Sequence, residues 1–213
     1  MRCTADPGSH RLMSPAESVT VADSATIESG ARIGAASRVW DLATVRSGAV
    51  VGSECVLGRG AFIDVGVVIG DRCKIQNHAL LYAPAELADG VFVGPSVILT
   101  NDRFPRAVNS DGTVKGASDW SPEGVRVGTG ASIGAAAVVL AGVRIGPWSM
   151  IASNSTVTRD VAAFALVAGS PATRIGWIGR AGQRLQRTDA GLWECPVDGS
   201  EYRELDGTLE ERE

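Results

Sequence analysis

His78 stands in the stretch Gln76-Asn77-His78-Ala79-Leu80-Leu81-Tyr82, where amide and hydroxyl groups crowd one imidazole. An imidazole with an ordinary pKa of about 6.5 is the side chain best suited to take a proton at neutral pH. His78 is therefore a candidate general base, with Gln76 and Tyr82 as candidate partners of a polar ligand. The plainer reading is a surface histidine of no consequence. A second polar cluster follows in Thr100-Asn101-Asp102-Arg103-Phe104-Pro105-Arg106, richer in hydrogen-bonding groups than a linker needs. A third segment, LWECPVDGSEYR, has the form of a zinc knuckle with Asp198 where a second cysteine would stand. The single thiolate of Cys195 cannot build a structural zinc site, which takes about four ligands, so no metal is expected.

These residues hang on a chain in which every sixth position is aliphatic. From Val21 the series runs Ile27, Ile33, Val39, Val45, Val51, Leu57, Ile63, Ile69, Ile75, Leu81, Leu87, Val93 and Leu99. It resumes at Val127, Ile133, Val139, Ile145, Ile151 and Val157. Mostly small residues sit two positions earlier (Ala25, Ala31, Ser37, Ala43, Ala49, Cys55, Ala61), and glycine is frequent one position later. Positions two apart on a short strand point the same way, so each large aliphatic shares the interior with a small partner. A period of six excludes an amphipathic helix and is the signature of a β-helix solenoid. Three faces make one coil of eighteen residues, which places Cys73 directly above Cys55. On this frame His78 rounds a corner and faces outward.

The period divides the chain into an N-terminal tail (1–17), a β-helix domain (18–163) and a C-terminal capping tail (164–213). The last coil would expose its aliphatic end without a cap. Within the solenoid, residues 100–124 carry no hexad, and an excursion of that length is expected to serve function. The rest of the composition is exclusionary. A net charge of −4 gives no basic field for nucleic acid. No apolar run approaches the roughly 20 residues of a membrane span. The N-terminal segment has no apolar signal core, and the four cysteines form no disulfide framework. A reduced, cytoplasmic protein is the expectation.

The solenoid resembles the hexapeptide-repeat acyltransferases. It is most similar to the bacterial sugar-nucleotide 3-N-acetyltransferases in RVWDLATVRSGAVVG, DRCKIQNHALLY, DGVFVGPSVILTNDRFPRA, GASIGAAAVVLAGVRIG and VAGSPATRIGW. The resemblance implies an all-β, left-handed parallel β-helix acting as a homotrimer, with acetyl-CoA as co-substrate and a nucleotide-linked amino sugar as acceptor. UDP-2-acetamido-3-amino-2,3-dideoxyglucuronate is the acceptor of the best-known relatives, in polysaccharide biosynthesis. It further implies direct attack of a sugar amine on the thioester. His78 would be the base and Asn77 the orienting amide. Gln76, Tyr82, Arg46, Asn101, Asp102 and Arg106 would hold the acceptor. Coenzyme A would lie along the C-terminal coils past Ala131, Ala152 and the turn Gly169-Ser170-Pro171-Ala172, with Arg174 at its phosphates. Two departures stand out: Asp41 follows Trp40 where many relatives have histidine, and His78 stands where many have a second asparagine.

Other classes fit less well. A γ-carbonic-anhydrase-like solenoid needs three histidines on zinc, and this chain has two histidines in all. An ice-binding β-helix needs an outward ladder of threonines, which is absent. Two alternatives stay open on the residues alone. One is a dTDP-3-amino-3,6-dideoxyhexose or antibiotic-sugar N-acetyltransferase, and the other is a non-catalytic β-helix scaffold.

Overall fold

The computed structural model describes residues 18–212; the N-terminal tail over 1–17, including His10, lies outside them. From Thr20 to Val157 the chain makes two-residue strands at six-residue intervals, interrupted once between Leu99 and Arg126. Every third strand stacks in parallel register on the one below, as Lys74 and Ile75 do on Val56 and Leu57. Three sheets result, which form the first, second and third faces of a triangular prism. The second residue of each strand points inward and the first outward, as alternation along a strand requires.

The interior is the series of hexad aliphatics with their small partners, and from Val39 upward all of these are buried. The first coil departs from the expected pattern. Val21 is 41% exposed, and Ile27 and Ile33 are only partly buried, because no described coil covers them from below. Cys55 and Cys73 are stacked as expected: the Cys73 N–H donates to Cys55 Sγ at 3.4 Å, and each thiol donates to a backbone carbonyl. The hydrogen-bonding interaction with the Cys55 side chain, followed by burial, pushes the Cys73 thiol upward, so it stays protonated.

Between faces the chain turns sharply, and the edge between the first and second faces does so through one left-handed residue per coil. Leu42, Gly60, His78, Ser96, Ala136 and Asn154 occupy this position with φ between +57° and +64°. Each accepts the strain of that region because its N–H is bonded to the coil below, as His78 N–H is to the Arg59 carbonyl at 2.9 Å.

Stacking extends past residue 163. Ala165–Gly169 still pairs in parallel with Met150–Ile151, and the chain then reverses through Ser170-Pro171 into the antiparallel strand Ala172–Trp177. The remainder forms a four-stranded antiparallel sheet, Gln186–Arg187, Trp193–Glu194, Glu201–Leu205 and Thr208–Glu211. The turn at Arg180, which precedes this sheet, and the turn at Ser200 within it meet at the Tyr202 hydroxyl, which accepts from the Arg180 N–H at 3.2 Å and the Ser200 hydroxyl at 3.3 Å. In the knuckle turn the Asp198 carboxylate accepts from the Ser200 N–H and hydroxyl at 3.0 and 2.7 Å. These bonds, led by the hydroxyl, hold its pKa down at about 2. Among the described residues no group of three or more His, Cys, Asp or Glu side chains is placed to hold a metal ion.

Candidate active site

The structure distributes the expected site residues over two edges of the prism. Gln76, Asn77 and His78 lie on the first edge, between the first and second faces. Arg46, Tyr82, Asn101 and Asp102 lie on the second edge, between the second and third faces, where the long loop leaves the solenoid. The second face separates the two groups within one chain.

His78 is exposed, and its ring lies back over the coil below. A Cβ added to Gly60 would stand 2.5 Å from His78 Nδ1, so the absence of a side chain at Gly60 makes the space the imidazole occupies. Asn77 is partly committed to the fold: its Oδ1 accepts from the Arg59 N–H at 2.9 Å, and only its amide N–H groups face outward chemistry. Gln76 is half-buried with no side-chain bond. Above these three the edge is almost bare. Gly94, Gly134 and Ala152 continue the column of Gln76, while Ser96, Ala136, Asn154 and Ser170 continue that of His78. At the strand spacing of about 4.8 Å this strip runs about 19 Å from His78 to Ser170. The glycines are obligatory, since a Cβ at Gly94 or Gly134 would strike backbone of the next coil within 2.9 Å. The sequence held this strip in its coil spacing, but reading it requires stacking the coils and allowing for the loop.

On the second edge, Tyr82 packs its ring against Phe62 at 5.8 Å between centroids. Asn101 Nδ2 donates to the Ala83 carbonyl at 2.7 Å, and the Asn101 carbonyl accepts from the Glu123 N–H, which fastens both feet of the loop. Asp102 caps the Phe104 N–H at 2.9 Å. It borders a small polar concavity of about 220 Å³ with Arg103 and Arg159. Arg106 is exposed and donates only to the adjoining Pro105 carbonyl. The loop tip is a short hairpin bridged at Val108 and Val114, and it leaves Phe104 76% exposed.

Three expected assignments change. Arg46 is held by Glu28 at 3.3 Å and Asp64 at 3.1 Å, and the bond to Glu28 raises its pKa, so its guanidinium serves as a rung between coils. Ala131 is fully buried in the prism interior as the small partner of Ile133, and its methyl cannot line a surface track. Arg174 is neutralised by Glu204 at 3.0 Å and stacked on Trp177 at 4.1 Å. Ala152, Gly169, Pro171 and Ala172 do gather at the top of the first edge and its hairpin. Gly169 takes φ +101°, and its N–H donates to Ser155 Oγ.

Known proteins share these features in part. The family described as "Hexapeptide repeat of succinyl-transferase" matches residues 24–64, 48–83 and 124–159. Serine acetyltransferase 4 of Arabidopsis thaliana is 35% identical over 91 residues, 42% of this chain and 24% of that protein. The dTDP-3-amino-3,6-dideoxy-alpha-D-galactopyranose 3-N-acetyltransferase of Aneurinibacillus thermoaerophilus is 37% identical over 81 residues, 38% of this chain and 41% of that one. The matches thus span less than half the length of either relative. Among solved structures, LpxA, a UDP-N-acetylglucosamine acyltransferase from Bacteroides fragilis, superposes with a TM-score of 0.61 at 16% identity, over 75% of this chain and 61% of its own. The BC4754 gene product of Bacillus cereus does so at 0.51 and 23%, over 76% and 80%. Both show the fold alone. The six-residue period and the three stacked sheets make the chain a left-handed β-helix built of hexapeptide repeats, and the hexapeptide-repeat proteins are what it is similar to.

Proposed function

We propose that this chain is an acetyl-CoA-dependent N-acetyltransferase acting on the amino group of a nucleotide-linked sugar. The observation that carries the reading is the bare strip on the first edge. It offers a long, thin cofactor arm a track lined by glycine and short side chains and ends at the one imidazole of the solenoid. The pantetheine arm would lie on Gly94, Gly134, Ala136 and Ala152, with its thioester beside His78. The match to a 3-N-acetyltransferase of a dTDP-amino sugar supports an amine acceptor of that class. The UDP-amino-glucuronate acceptor is the finer alternative within it.

In this reading the amine nitrogen attacks the thioester carbonyl carbon, a C–N bond forms and the C–S bond breaks. His78 takes the proton lost by the amine, and the coenzyme A thiolate leaves. Alignment of amine and carbonyl supplies the larger share, on the order of 7–11 kcal/mol. An Asn77 amide N–H would donate to the developing oxyanion.

The residues of the second edge enter from another copy. In a cyclic homotrimer whose second faces point to the axis, the first edge of each copy meets the second edge of the next. The second face suits that place: outward it carries Phe62, Leu80, Ile98 and Val138, all half-buried, and no charged side chain. Asn101, Asp102 and the Arg106 loop of one copy then face His78 of its neighbour. The reading is tested by calorimetric titration with coenzyme A. Micromolar binding to the wild type, abolished by Ala136→Phe on the strip, is expected. Undiminished binding to that variant would place the cofactor elsewhere.

A further inference from the structure

The third face carries a feature that neither the acceptor loop nor the cofactor strip uses. Its upper coils set Arg126 and Arg144 directly opposite each other on adjacent parallel strands. Like charges in that relation repel across one strand spacing of about 4.8 Å. Neutralisation is incomplete. Glu86, one coil lower, reaches Arg126 Nε at 3.7 Å with both side chains more than half exposed. The Arg144 guanidinium has no ion-pair partner among the described residues. Asp160, beside it, spends Oδ1 on the Arg144 backbone N–H at 2.8 Å.

The two guanidiniums stand between adjoining concavities of about 570 and 320 Å³, and both concavities include Glu86, Arg126 and Arg144. One has an apolar floor of Val68, bare backbone at Gly128 and Gly146, and the ring of Pro147. The other runs to Pro122 and Gly124, where the long loop returns to the solenoid. A groove of this size accepts a ligand with a flat, largely apolar body and an anionic bridge. Two paired guanidiniums suit the adjacent oxygens of a diphosphate.

We propose that this groove binds a nucleoside diphosphate, with the diphosphate on Arg126 and Arg144 and the nucleoside over Val68 and Pro147. The proposal rests on the acetyl-transfer reading for its purpose: it is the subsite for the acceptor's nucleotide, whose sugar then lies toward the loop.

The test is calorimetric titration of the full chain with UDP, dTDP and, separately, coenzyme A. Three variants are compared with the wild type: Arg126→Gln with Arg144→Gln, Glu86→Gln, and Arg32→Gln on the same face outside the groove. The double variant is expected to weaken UDP or dTDP binding by about 100-fold, roughly tenfold per guanidinium. Glu86→Gln should tighten it by releasing Arg126, an effect that a structural role would not produce. Arg32→Gln and coenzyme A affinity should not change. If coenzyme A binds but neither diphosphate does, or the double variant binds both as before, the groove assignment fails and the transfer reading stands. A loss of coenzyme A affinity in the double variant overturns the proposal in favour of a cofactor site. A fall in assembled mass in that variant overturns it in favour of an interface between copies.

Discussion

Gly60 decides where His78 lies. Its backbone has φ +64°, and the imidazole rests where a Cβ would be. Gly60→Ala should therefore displace the ring and cost turnover about tenfold, at a stability cost of about 1 kcal/mol for the left-handed residue. Thermal unfolding beside steady-state rates separates the two; unchanged turnover would mean that the ring position is immaterial. His78→Ala should lower turnover by roughly 10²–10⁴-fold with little effect on coenzyme A binding. His78→Asn is the sharper comparison. If it retains near-full activity, the amine arrives neutral and His78 holds the acceptor without taking its proton. Asn77 is less independent, since Oδ1 already closes the corner onto Arg59, so Asn77→Ala should lower stability as well as activity.

The strip, the loop and the tail are elements whose legibility differed. Strand positions and inward residues followed directly from the hexad, because period six with alternating direction admits one arrangement. The bare strip did not, because it runs across coils: Gly94 and Gly134 are neighbours in space through an intervening loop. Ala131 was misplaced for a different reason. Standing two before Ile133, it is an interior partner by the hexad rule itself, and the cofactor role that the resemblance implies for it conflicts with that rule. Arg46 and Arg174 look like free ligand groups in the sequence because their carboxylate partners lie 18 and 30 residues away along the chain. The tail's knuckle holds by hydrogen bonds, and that has a pH signature. Asp198 has a folded pKa of about 2 against an ordinary value of about 3.9. Between those values the unfolded state binds more protons, so the contribution is fully present above about pH 4 and is lost as pH falls toward 2. The difference in stability between wild type and Asp198→Asn should accordingly shrink over that window, as followed by tail hydrogen exchange. A difference independent of pH would remove Asp198 from the account.

At the scale of the molecule, the proposed reading gives one copy two half-sites on opposite borders of an uncharged face. Light scattering should give about three times 22.1 kDa. Mixed assemblies of His78→Ala and Asn101→Ala chains should recover part of the activity each lacks alone, because some interfaces then pair two intact edges. The acetyl transfer itself is the property on which these roles depend. It is measured most directly as coenzyme A thiol released from acetyl-CoA in the presence of a dTDP- or UDP-linked 3-amino sugar, with the acetylated sugar identified by mass. Release that depends on the sugar's amine, saturates with both substrates and collapses in His78→Ala is the predicted result. A chain that binds coenzyme A yet releases no thiol with any amino-sugar nucleotide, or that transfers equally well to the corresponding hydroxyl sugars, would contradict it.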